Sequence, residues 1–192
     1  MTNAQAPTAR SAERPTQRDL GLILALVTLE VAISLSLSQT GVRFDGFLDV
    51  HRYRVEPVPI GVALLDQAAA LIAAITVAVA LVRLWRPQAR ASAVALVVSV
   101  ARLPLVLFAP AVLVMPLPDT FAAMSMSTVS APSPLIIVFG LAAVAVAVGV
   151  IALLASGLRR VTGAREWSLA AFTLLVLVMA EVASKLVLAA AT

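Results

Sequence analysis

The chain has 192 residues, 61% of them hydrophobic and 12% charged, with a net charge of +4 and no cysteine. A soluble domain is about one-quarter charged, and a chain this small cannot hide so much apolar surface from water, so the composition is that of a membrane protein. The absence of cysteine excludes disulfides, thiolate metal centres and cysteine nucleophiles. The arginines are spread over short loops and form no nucleic-acid surface.

Residues 1–19 are rich in Ala, Pro, Thr and Arg and read as a disordered tail. A first apolar run covers about 20–38, close to the length that crosses a core of about 30 Å. No small-residue cleavage site follows it, so it reads as a retained span rather than a secretory signal. The loop that follows is broken by Gly41, Gly46, Pro57 and Pro59, and its stretch Val50–Val55 reads as a short interfacial segment. The second span runs over about 60–82, and Arg86-Pro87 marks the turn into a third over about 91–115, which contains Pro104 and Pro110. A small, polar, proline-flanked loop, 116–133, leads to a fourth span over about 134–154. A turn over 156–165, with Gly157 and Gly163, precedes the fifth span over about 167–188. The expected architecture is therefore an all-α membrane domain over 20–192, a bundle of five transmembrane helices. There is no internal repeat of the kind that builds many transporters.

The basic residues give the bundle a direction. Arg10, Arg14 and Arg18 precede the first span. Arg83, Arg86 and Arg90 lie between the second and third, and Arg159, Arg160 and Arg165 between the fourth and fifth. The alternate loops hold only Arg43, Arg52 and Arg54. Cytoplasmic loops retain Lys and Arg, so the amino terminus is expected in the cytoplasm and the carboxyl terminus outside. Trp85 and Trp167 fall at cytoplasmic boundaries, where aromatic anchors are expected. Arginine outnumbers lysine heavily, with Lys185 alone, and Ala and Val abound. This usage fits a high-GC bacterial genome and hence a bacterial plasma membrane.

Five ionisable residues lie inside the spans: Glu30, Asp66, Arg102, Glu181 and Lys185. Each costs roughly 2.5–3.5 kcal/mol at mid-bilayer on insertion scales, so each needs a partner or water. Counted from the cytoplasmic ends, Glu30 and Arg102 reach the same level, which predicts a pair between the first and third spans. Asp66 and Glu181 are about equally deep, and Lys185 shares a helix face with Glu181 at i, i+4. Asp66 and Lys185 are also near enough to the outer boundary to snorkel. Two readings follow: ion pairs that orient the helices, favoured here, or a proton or ion path through the three carboxylates. His51 with Met115, Met124 and Met126 is a weak soft-ligand group for Cu(I). Ala145 with Gly149, and Ala180 with Ser184, fit small-xxx-small packing. No nucleophile elbow, phosphate loop, H-E-x-x-H or paired intramembrane aspartates occur. Neither catalysis nor a cofactor is expected.

The stretches WRPQARASAVALVVSVARLPLVLFAPAVLV and IALLASGLRRVTGAREWSLAAFTLLVLVMAE cover about half of the chain. They resemble the Yip family of five-span membrane proteins, named for interaction with Ypt/Rab GTPases. The first resembles that family's basic turn, polar-started helix and small-x-x-Pro-Leu segment. The second resembles its G-L-x-x-V-x-G turn into the last span. The first two spans match only in position, and the outer loop is longer than the family pattern. The resemblance implies a polytopic protein without a catalytic site, acting as a scaffold or a partner- or lipid-binding component. Its partners would be the bilayer, other membrane proteins or a second copy, and no family residue set transfers. The competing readings are a small transporter or transporter subunit using the carboxylates, and an extracytoplasmic metal-responsive protein.

Overall fold

The computed structural model describes residues 17–44, 46–52, 56–114, 134–164 and 166–191. Five long helices account for most of them: α1 (Gln17–Ser38), α2 (Ile60–Trp85), α3 (Ala91–Phe108), α4 (Pro134–Thr162) and α5 (Glu166–Ala191). A 3-10 segment, Ala109–Val114, prolongs α3. All five are long and apolar enough to cross a membrane. Helix α2 packs most extensively on α5 and α3 on α4, while α1 lies against α2 and α3. Helices α2, α3, α4 and α5 thus form a ring, with α1 outside the α2–α3 edge.

The radial pattern inverts that of a soluble protein. The buried residues of α1 are Glu30, Ser34, Leu37 and Ser38, while Leu20, Leu22, Leu24 and Leu29 point outward. Glu30, Ser34 and Ser38 are spaced i, i+4, i+8 and so form one inward polar stripe. On α4 the residues Ile137, Val138, Leu141, Val144 and Val148 are exposed. Large apolar side chains directed outward, with the charged and polar groups of the spans turned inward, suit a hydrocarbon solvent. Helix α2 turns inward a face of small residues, among them Ala63, Ala70, Ala74 and Ala78, which lets neighbouring backbones approach closely.

The helices are longer than the apolar runs. Of the tail 1–19, Gln17–Asp19 form the first turn of α1, and the remainder lies outside the described residues. Helix α4 continues past the expected end at 154, through Gly157, to Thr162. Gly157 is a packing residue and not a turn: a Cβ there would lie 2.5 Å from Val97 Cγ1 of α3. Gly163 is the terminator, with φ of +64° and its N–H bonded to the Arg159 carbonyl at 2.9 Å, an αL cap. Pro104 lies within α3 and packs 3.6 Å from where a Cβ on Gly149 would be. Of the two anticipated small-residue faces, Gly149 and Ser184 make close approaches while Ala145 is exposed.

The segment between α1 and α2 was expected to hold an interfacial stretch over Val50–Val55. Of that stretch, residues 53–55 lie outside the described residues, and His51–Arg52 form β2 of a β-hairpin, paired antiparallel with β1 (Val42–Arg43), with Val42 opposite Arg52 and Arg43 opposite His51. Gly41, at φ of +81°, turns the chain from α1 into β1. Between the strands, Phe44 and Phe47 are fully buried.

Candidate functional site

The hairpin tip descends into the bundle. Its anchors Glu181 and Ser184 lie ten and seven residues before the end of α5 at Ala191, or about 15 and 10 Å along the axis. Irregular backbone at such depth persists only where protein satisfies its polar groups. Here α3 and α5 do so. Phe47 N–H donates to Ser184 Oγ at 3.2 Å, and Leu48 N–H donates to Glu181 Oε2 at 2.8 Å. Arg102 donates from Nε to the Phe47 carbonyl at 3.2 Å and from Nη2 to the Gly46 carbonyl at 3.3 Å. Ser184 in turn donates to the Glu181 carbonyl at 2.8 Å.

Arg102 is the centre of this arrangement and the largest fully buried side chain described, at 0% exposure. Its Nη1 meets Glu30 Oε2 at 3.3 Å, and Glu30 is also fully buried. The guanidinium lies 5.9 Å from the ring centroids of both Phe44 and Phe47. One side chain of α3 therefore binds α1 through a carboxylate and the hairpin through two carbonyls and two aromatic faces. The planar fork of arginine can serve several acceptors at once, which lysine cannot. Gln67 of α2 donates to the same Glu30 oxygen at 2.9 Å, so a third helix joins the cluster. Glu30 Oε1 and Gln67 Oε1 are buried and accept no hydrogen bond in the structure.

The other two intramembrane charges also reach the hairpin. Asp66 of α2 takes a bidentate pair from Arg43 of β1, Nε to Oδ2 at 2.8 Å and Nη2 to Oδ1 at 2.9 Å. Lys185 of α5 meets Asp49 at 2.5 Å and, less closely, Glu181 at 3.8 Å. Asp66 is buried and does not snorkel, whereas Lys185 is exposed. The sequence-level candidates thus separate into three groups: Glu30 with Arg102, Asp66 with Arg43, and Glu181 with Lys185 and Asp49.

Gln67, Arg43, Asp49 and the two phenylalanines were not among the expected site residues. Gln67 carried a signal, since an amide inside an apolar run needs a partner as a charge does. The soft-ligand group falls largely outside the described residues. His51 takes its place in β2, and Met115, Met124 and Met126 lie outside the described residues. Among the described residues there is no group of three or more His, Cys, Asp or Glu side chains that could hold a metal ion.

No family model, curated protein or solved structure matches this chain. The chemistry of the cluster has to be judged from its own geometry. Charged hydrogen bonds between fixed partners, spread over α1, α2, α3, α5 and the hairpin, hold elements together.

Proposed function

We propose that this protein is a non-catalytic membrane scaffold, related to the five-span Yip type, that presents a fixed hairpin at one face of the bilayer. The observation that carries this reading is the use made of the charges within the apolar helices. Glu30, Asp66, Arg102 and Glu181 all hold the hairpin or the helix that anchors it. A scaffold needs such rigidity at the surface it shows to partners. The clustered arginines support an orientation with the amino terminus in the cytoplasm of a bacterial cell and the hairpin outside. Single cysteines at Ser11, Gln88, Thr128 and Thr162 test the orientation in this cysteine-free chain. An impermeant maleimide should label only the Thr128 position in intact cells.

A second reading, a small carrier or carrier subunit, draws support from Glu30 Oε1 and Gln67 Oε1, two neighbouring buried oxygens without hydrogen bonds. Proteoliposomes under a pH gradient separate the two. The scaffold reading expects no proton flux in the wild type, E30Q, D66N or E181Q. A flux in the wild type that disappears in one of these variants, with the fold intact, would establish the carrier.

A further inference from the structure

The end of the bundle opposite the hairpin holds a second cluster. The α2–α3 turn and the α4–α5 turn lie at the same end, since Val97 near the start of α3 packs against Gly157 near the end of α4. Trp85 packs on Phe172 with centroids 4.5 Å apart. The two turns bring Arg83, Arg86, Arg159 and Arg160 to one end, and none of the four forms an ion pair among the described residues.

Arg86 differs from a solvated arginine. Its guanidinium carbon lies 5.4 Å over the Trp85 ring, which is itself seated on Phe172. Its Nε is buried and has no hydrogen-bond partner. A buried donor of a charged group left unsatisfied is costly, so this fork is preorganised for an oxygen that no described residue supplies. An anion suits this position, because Arg83, Arg159 and Arg160 lie at the same end of the bundle. It also comes with hydrocarbon attached. Leu84 and Trp167, at the same end, are 82% and 91% exposed, and such side chains belong against the glycerol and upper acyl region of a lipid leaflet.

We propose that this end binds the headgroup of an anionic phospholipid, its phosphate held by the Arg86 guanidinium and its acyl chains laid beside Leu84 and Trp167. Arg83, Arg159 and Arg160 add attraction without fixing geometry. The site is independent of whether the hairpin end serves a scaffold or a carrier.

The test uses the full chain purified in a neutral detergent and titrated with phosphatidylglycerol, phosphatidylcholine or inorganic phosphate. Bound lipid is counted by native mass spectrometry, and thermal unfolding is followed in parallel. Phosphatidylglycerol should bind and raise the unfolding temperature, while phosphatidylcholine and phosphate should do neither. R86Q should weaken phosphatidylglycerol binding about tenfold, the loss expected for one good charged hydrogen-bonding group. R86K should weaken it nearly as much, because it keeps the charge and loses the Nε–H and the fork. R159Q should weaken it less than either. Unfolding temperatures in phosphatidylcholine show whether each variant is folded, and if R86Q is not, R86K carries the test. Equal binding of the two lipids, or R86K and R86Q binding like the wild type, would overturn the proposal. Stabilisation by phosphate alone would also overturn it, by making the site one for a free anion.

Discussion

The two ends of the bundle use the same residue type in opposite ways. At the hairpin end Arg43 and Arg102 each have a carboxylate partner, and Lys185 has Asp49. At the other end Arg83, Arg86, Arg159 and Arg160 have no carboxylate partner among the described residues. A guanidinium removed from water is tolerable only when acceptors replace the water, so Arg102 had to be built in on every side. A guanidinium near the headgroups can be left open. The contrast is between charges answered by carboxylates of the chain and charges that no described carboxylate answers.

The comparison breaks most readily at Arg102. R102Q should lower stability by about 3–5 kcal/mol, since it strands Glu30 and frees two buried carbonyls. Thermal unfolding in detergent would measure this, and hydrogen exchange at the tip, Gly46–Leu48, should accelerate with it. E30Q should cost less, because its remaining carbonyl still accepts from Arg102 and Gln67. The double variant should then cost less than the sum, and strict additivity would mean that the two side chains do not act together.

G46A sharpens the same point with a smaller effect. A Cβ at that position would lie 3.0 Å from the Glu181 carboxyl carbon, so either the tip or the carboxylate must shift. Overpacking of this kind costs about 1–3 kcal/mol, and the Leu48 amide should exchange faster as its bond to Glu181 weakens. The smallest effects belong to the exposed charges. K185A should cost less than about 1 kcal/mol, as partly exposed ion pairs do, and R83Q should fall within about 0.5 kcal/mol in neutral detergent. A large loss from R83Q would mean that the arginine end is structural after all.

The helices were legible because an apolar run of about twenty residues has few other fates. The meeting of Glu30 and Arg102 was also legible, since α1 and α3 run in the same direction and a known rise per residue fixes their relative depth. The hairpin was not. Its residues alternate polar and aromatic over too short a span to separate a surface loop from a buried one. The signal that would have exposed it was the imbalance of three acids against two bases inside the spans. Arg43 answers Asp66 from outside the apolar runs, and Asp49 competes with Glu181 for Lys185. The end of α4 was misjudged for a different reason. Glycine interrupts a helix only where nothing needs the space, and Val97 needs it at Gly157.

The anchoring of the hairpin on α5 has a consequence for biogenesis. The tip and its partners Glu181 and Ser184 are 133 and 137 positions apart in the chain. At about 5–20 residues per second, α5 leaves the ribosome roughly 7–27 s after the hairpin. Throughout that interval α1, α2 and α3 can enter the bilayer, yet Phe47 N–H and Leu48 N–H lack their acceptors. The loop between α1 and α2 is therefore among the last parts to settle, and the arrival of α5 acts as the latch that closes it.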